Sequence, residues 1–389
     1  MLLEAGLKKG DDNKAARRWS AGAKSTTYEE WLKRLGIGLF SFWVVFALFY
    51  VSSSSSSPSP PSALDGAAAP VQINSNAKAK SALNTTFPSE TNFIVIGDYG
   101  TGSPDQVQTA EALKTFASTL DPRPAFVIST GDQIYEHGYE VCVHYLIWPM
   151  ILAVHEISSS SDPMLKARFE QMYDHPDLSV PWYITIGNHD CEGSIDAMLE
   201  YAMQKTSMWY FPRRYYTIDR PVAPKTILRM VVVDACDLVC GREPRNFRCK
   251  DAMNDQTSEA SRQEQFRWIE EVLSAGKPAG VDRMWTIVVG HWAVYSYAGN
   301  AHTQELIESL DPLLHKYKTE AGWSRNYFVS GAGGYRVHTL MPKARENSDL
   351  VHAAMTHGFM WVHVTKEQFQ VQFIEKTGDV LYTTELQYQ

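Results

Sequence analysis

Four short apolar runs in this chain each end in glycine followed by a side chain able to bind a metal: Gly97-Asp98, Gly131-Asp132, Gly187-Asn188 and Gly290-His291. Carboxylate, amide and imidazole donors suit a hard or borderline cation. Asp132 carries two carboxylate oxygens and can bridge two ions. Two ions about 3.5–4 Å apart clamp the attacking and leaving oxygens of an in-line displacement at phosphorus. One lowers the pKa of a bound water, so that hydroxide is the nucleophile. The other neutralises charge on the phosphoryl oxygens. Glycine before each ligand lets the backbone turn sharply. Tyr135, three residues after Asp132, adds a phenol. A phenolate prefers a strongly Lewis-acidic ion, which points to Fe3+ rather than Mg2+ at one position. The plainer reading of Tyr135 is a packed aromatic ring.

The elements that must carry these residues follow from apolar periodicity. Buried strands are expected at Phe93–Ile96, Ala125–Ile128, Trp182–Ile186, Ile227–Val233, Trp285–Val289 and Tyr327–Val329. Helices are expected at Gln106–Leu120, Ser258–Ala275 and Thr303–Tyr317, and three more strands at Phe359–Val364, Phe369–Phe373 and Val380–Leu386. The order indicates α/β architecture with a β-rich C-terminal end. Ligands in α/β sheets gather outside the C-terminal ends of strands. Four such ends place Asp98, Asp132, Asn188 and His291 in one crevice.

At 389 residues the chain holds one large domain or two ordinary ones. The formal net charge of -8 argues against a nucleic-acid binder, which carries a basic face. Five cysteines, Cys142, Cys191, Cys236, Cys240 and Cys249, form no CxxC pair, which speaks against a structural zinc. Cys236, Cys240 and Cys249 are near enough in sequence to offer one bridge, with the pairing open. Leu35–Val51 is uncharged, about 25 Å long as a helix, and Lys8 through Arg34 supply basic residues only on its N-terminal side. The positive-inside rule then gives a cytoplasmic segment 1–34, a transmembrane signal anchor at 35–51, and a translocated remainder. A cleaved signal peptide and a secreted domain are the alternative. Residues 52–90 are a Ser-, Pro- and Ala-rich stem carrying a glycosylation sequon at Asn84. The folded domain is expected at 91–389.

Gly97-Asp98-Tyr99-Gly100, Gly131-Asp132-Gln133-Ile134-Tyr135, Gly187-Asn188-His189-Asp190 and Val288-Val289-Gly290-His291 resemble, in order, four of the five motifs of purple (tartrate-resistant) acid phosphatases. The likeness extends from about Asn92 to the C-terminus. It includes Trp209-Tyr210-Phe211-Pro212 and Val329-Ser330-Gly331-Ala332-Gly333. The resemblance implies a four-layer α/β/β/α sandwich of the metallophosphoesterase type, here preceded by a single transmembrane helix. It implies a dinuclear centre of Fe3+ plus a divalent ion (Fe, Zn or Mn) acting on a phosphomonoester. Asp98 and Tyr135 would bind the ferric ion, Asp132 would bridge, and Asn188 and His291 would bind the second ion. His189 would contact phosphate and protonate the leaving alcohol. The plainer readings are that His189 is hydrogen-bonded beside the site and that His291 packs beneath the sheet.

The pattern breaks in one place. The family's GHxH motif, which supplies one histidine to each ion, is absent between Tyr317 and Tyr327, a stretch too short for the family's strand, loop and return. His315 and His338 flank the gap and read as surface or packing residues. Asn300 stands where relatives often carry a substrate-contacting histidine, with His302 nearby. An apolar insertion, Val141–Ser160, is expected to lie outside the core fold. The leading reading is a membrane-tethered acid phosphatase. Its rival is a catalytically impaired anchor or binding protein on the same fold, and a third is that the cell's transcript encodes the absent segment.

Overall fold

In chain order the strands are β1 (Leu3–Leu7), β2 (Glu90–Ile96), β3 (Val127–Ser129), β4 (Trp182–Ile184), β5 (Trp209–Tyr210), β6 (Tyr216–Ala223), β7 (Thr226–Val232), β8 (Arg283–Val289), β9 (Asn326–Ser330), β10 (Leu350–Ala354), β11 (Gly358–Thr365), β12 (Gln368–Glu375) and β13 (Val380–Gln387). The main helices are α1 (Pro104–Thr119), α2 (Asn188–Glu192), α3 (Ile195–Ala202), α4 (Ala235–Cys240), α5 (Glu259–Ser274) and α6 (Gln304–Thr319). This computed structural model describes residues 3–7, 88–135, 159–204, 208–319 and 326–388. They belong to one of two units into which the chain divides, Met1–Lys9 with Thr86–Gln389.

β2, β3, β4 and β5 run parallel, and an antiparallel meander of β11, β12 and β13 extends the sheet from the other edge of β2. Side chains alternate across it. Phe93, Val95, Met360 and Val362 point to the interior. Phe359 and Trp361 point to the other face, where Phe116 of α1 meets both rings. α1 starts where Ser103 caps Gln106 N and Pro104 opens the first turn. Its buried residues, Gln106, Thr109, Ala110, Leu113 and Ala117, recur at three- and four-residue spacing.

Two three-stranded sheets face this one: β6-β7-β8 and β9-β1-β10. α5 docks beside β7 through buried Gln265, whose side chain accepts from Asp234 N at 2.9 Å and donates to Asp234 O at 3.2 Å. The α/β fold with a β-rich C-terminal end expected from the periodicity is present, and its largest sheet is mixed. β6 escaped the sequence reading because Asp219, Arg220 and Pro221 interrupt its alternation, and β5 is only two residues long.

The run Leu35–Val51, the stem through residue 87 with Asn84, and residues 141–158 of the insertion lie outside the described residues. Among the described residues no helix is long and apolar enough to cross a membrane. Leu3–Leu7 pairs with both β9 and β10. A single crossing at 35–51 would put this strand and the domain on opposite faces of a bilayer. Pairing of β1 and a single-pass anchor therefore exclude one another in one molecule.

Bridges join Cys191 to Cys236 and Cys240 to Cys249. Spacing suggested a bridge among Cys236, Cys240 and Cys249, but only the fold brings Cys191 to Cys236 across 45 residues. Replacing Cys240 and Cys249 together by serine is expected to lower stability by about 2.5 kcal/mol, the loop-closure entropy of so short a loop. Urea unfolding at matched pH checks this. An unchanged midpoint would mean that the bridge does not form.

Candidate metal centre

The sheets deliver the ligands at strand ends. Asp98 follows β2, Asp132 follows β3, Asn188 opens α2 after β4, and His291 follows β8. Asp98 and Asp132 both take the left-handed conformation, with φ of 54° and 55°. Aspartate tolerates this region better than most residues, but it remains strained. The strain turns the carboxylates back over the strand ends. Two glycines make room. A Cβ on Gly100 would lie 1.6 Å from Gln133 O. One on Gly131 would lie 2.6 Å from His291 Nδ1, at a φ of +104°.

Asp98, Asp132 and His291 come together, each with one ligand atom within 4.8 Å of the others, and all are buried. Tyr135 Oη lies 2.7 Å from Asp98 Oδ1 and 2.9 Å from Asp132 Oδ2, donating to the carboxylates. His291 Nδ1 donates to Thr130 O at 2.9 Å. Its Nε2 therefore faces the cluster, 3.1 Å from Asn188 Oδ1 and 3.5 Å from Asp132 Oδ2. Trp292 Nε1 also donates to Asn188 Oδ1, at 3.3 Å. His189 contributes its backbone N–H to Asp132 Oδ1 at 2.9 Å. Its ring packs 4.6 Å from that of Tyr135. All six residues singled out in the sequence thus meet at one place.

Burial pushes Asp98 up to about 6, aided by the Asp132 charge and opposed by His291. Burial also acts to raise Asp132, but His291, His189 and the bonds it accepts hold it below the usual carboxylate range. Burial acts to lower His291, and the Asp132 and Asp98 carboxylates outweigh it, so its pKa is raised. Tyr135 is pushed well above its usual value by burial and by both carboxylates. A cation would relieve each of these conflicts.

Sequence reasoning missed two participants. Asp190 accepts from Gly187 N at 2.8 Å, Asp132 N at 2.9 Å and Gln133 N at 3.0 Å. One buried carboxylate so ties the Asp132 loop to the Asn188 loop. Burial, with the Asp132 charge, pushes it up to about 7, against those backbone bonds. Its place two residues after Asn188 was the only signal. Tyr335 stacks on Tyr135 at 3.9 Å with the rings 4° from parallel, and its ring lies 6.0 Å from His189. No motif marked it. His302 Nδ1 accepts from Ser296 N at 3.0 Å, and the Asn300 carbonyl accepts from Arg248. His315 lies on α6, and burial lowers His338 to about 4. None of these joins the cluster.

The donor set fits a metal. Asp98 Oδ2 is buried with no hydrogen-bond partner, an atom in need of a cation. Asp98, Tyr135 and Asp132 would hold one ion. Asn188, His291 and Asp132 would hold a second. The one imidazole that GHxH supplies to each ion is missing among the described residues, which leaves the first ion with none and the second with His291 alone.

Comparison with known proteins agrees with this geometry. The chain is 26% identical over 305 residues to purple acid phosphatase 4 of Arabidopsis thaliana, covering 75% of this chain and 81% of the relative. It is 26% identical over 321 residues to tartrate-resistant acid phosphatase type 5 of Sus scrofa, covering 76% and 86%. Its fold matches that of GAP50, described as the anchor in the inner membrane complex of Plasmodium, with a TM-score of 0.61, 17% identity, and 77% and 90% coverage. A family model, calcineurin-like phosphoesterase, matches residues 91–321, and that family with its purple acid phosphatase relatives implies a dinuclear metal centre. Spanning more than half the chain and every ligand just described, this match makes the chain a member of the calcineurin-like phosphoesterase family.

Proposed function

We propose that the chain is a metal-dependent acid phosphatase that hydrolyses phosphomonoesters at the Asp98, Asp132 and His291 cluster. The observation that carries this reading is the buried, partnerless Asp98 Oδ2 beside two further buried ligands. A pair of ions, Fe3+ with a divalent partner, would activate water and neutralise phosphoryl charge. The protein's own contribution is positional. Thr130 fixes the His291 tautomer, so that Nε2 is aimed at the cluster. Asp132 Oδ1 orients the start of α2 through the His189 N–H. The His189 ring, beside Tyr135 and Tyr335, is assigned the proton given to the leaving alcohol.

Each ion retains three protein donors, so metal is held weakly. The full chain assayed on an aryl phosphate at acidic pH should hydrolyse it only with added metal. Chelation should abolish the activity, and His189→Ala should lower it by about 100-fold or more. A second reading, a phosphatase-like binding protein, draws support from the missing imidazoles and from the occurrence of this fold in an anchor protein. Metal-loaded chain no faster than its His189→Ala variant would establish it.

For a membrane-bound form, in which β1 would not pair with β9 and β10, we propose that the domain lies outside the cytosol, tethered by Leu35–Val51. Protease added to sealed vesicles should then remove an N-terminal epitope tag and spare the domain. Protection of both would show that β1 forms in the membrane-bound protein, and the anchor reading would fall.

A further inference from the structure

Tyr335 stands at the end of a turn after β9 whose backbone is fastened on several sides. Gly333 N donates to Gly97 O at 2.9 Å, and Tyr335 N donates to Asp98 O at 2.8 Å. Ser103 Oγ donates to Gly334 O at 3.0 Å, and His357 Nε2 donates to Tyr335 O at 2.7 Å. The turn lies so close to the end of β2 that a Cβ on Gly333 would sit 2.7 Å from Gly97 O. The residue that follows β2 and bonds to this turn is Asp98, the donor with the partnerless oxygen.

The Tyr335 ring lies flat on that of Tyr135, with centroids 3.9 Å apart and planes 4° from parallel. Aromatic pairs ordinarily meet offset or edge-on with centroids about 4.5–7 Å apart, because flat stacking sets two electron-rich faces against each other. Attraction between the rings does not select this arrangement; the fastened turn imposes it. His189 lies 4.6 Å from Tyr135 and 6.0 Å from Tyr335, separations that put it beside the edge of Tyr135 rather than over its face. Tyr135 is otherwise aimed by its hydroxyl, which donates to Asp98 Oδ1 and Asp132 Oδ2. A phenol gives up that proton to bind a cation, so both bonds are lost when an ion is held. The stack on Tyr335 is a restraint that survives loading.

We propose that Tyr335 is a positioning residue of the metal centre, whose ring face directs the Tyr135 phenol oxygen while its backbone N–H holds Asp98. One residue thus orients both donors that belong to the first ion alone. The effect matters most at that ion, because no imidazole is present there to orient it. Partners that orient a ligand without touching the metal ordinarily change affinity by a factor of roughly 10–100. This inference rests on the metal-centre reading above and not on hydrolysis, since it concerns how an ion is held and not what it does to phosphate.

The test uses the full chain, freed of metal and dialysed to equilibrium against ferric nitrilotriacetate at mildly acidic pH. Bound iron and the visible tyrosinate-to-iron absorption are both measured. Tyr335→Leu should lower ferric affinity by about tenfold, the upper worth of one aromatic contact, and shift or broaden the absorption band. Tyr335→Phe keeps the ring face and should restore both, with affinity within about twofold of wild type. In a Tyr135→Phe background no phenol remains to be aimed, so adding Tyr335→Leu should change affinity by less than about twofold. Circular dichroism checks the fold, and Tyr335→Gln, which also lacks a ring, replaces the leucine variant if that one is unfolded. An equal loss in both backgrounds would mean that Tyr335 merely supports the fold, and would overturn the proposal. A phenylalanine variant no better than leucine, or a leucine variant with wild-type affinity and band, would overturn it as well. A wild-type chain that takes up no ferric ion would defeat the metal-centre reading and this proposal together. The expected pattern in a chain without phosphatase activity would uphold the proposal and remove only the enzymatic reading.

Discussion

Asp190→Ala is expected to destabilise the domain by at least about 3 kcal/mol and to abolish metal binding with it. The carboxylate accepts three backbone N–H groups, from Gly187, Asp132 and Gln133. Alanine leaves these donors unsatisfied in a buried site, at about 1–3 kcal/mol each. The loss is also geometric. Asp132 holds its left-handed conformation because its N–H is tied to Asp190, and Asn188 follows directly from the Gly187 that the same carboxylate anchors. Asp190→Asn should fall between wild type and Asp190→Ala, since its amide keeps one acceptor but turns donor hydrogens toward the remaining N–H groups. Thermal unfolding measures this, with a fall of at least about 6 °C expected for the alanine variant. A melting temperature within a degree or two of wild type would show that the two loops hold their places without Asp190.

Asp132→Asn should leave the fold intact and still lower affinity for Mn2+ by at least about 100-fold. Removing even an outer partner of a ligand costs roughly 10–100-fold in affinity or activity. Asp132 is central to the set. Its Oδ2 lies 2.9 Å from Tyr135 Oη and 3.5 Å from His291 Nε2, so it faces both ends of the donor cluster. An asparagine oxygen can still accept the His189 N–H, so the start of α2 is preserved. What is lost is a negative charge in a buried place, where attraction to a cation is strongest. Titration calorimetry with Mn2+ on metal-free protein gives the affinity, and circular dichroism confirms the fold. Affinity within threefold of wild type would mean that the ion binds elsewhere. Asp98→Asn is the informative companion, because Asp98 Oδ2 is the atom left without a partner.

Particular residues show what was legible beforehand. Asp98, Asp132, Asn188 and His291 were found because glycine, a preceding apolar run and a donor side chain are all local features, and because parallel strands deliver their ends to one side. The long elements were found for the same reason. α5 has Phe266, Trp268, Ile269 and Val272 at helical spacing, and β11 through β13 are long enough to show their β character. β6 was not foreseen because Asp219, Arg220 and Pro221 break its alternation, and β10 because its identity depends on the strand it pairs with.

The sequence by itself determined the donor types, their order, the α/β class and the absence of GHxH, because each of these is written in residue identity and in periods of two and 3.6. Tertiary structure alone decided that Asp190 fastens two loops, that Tyr335 lies on Tyr135, and that Cys191 meets Cys236. Each of these joins residues dozens to hundreds of positions apart, and no local pattern records which distant partner a carboxylate, a ring or a thiol will face.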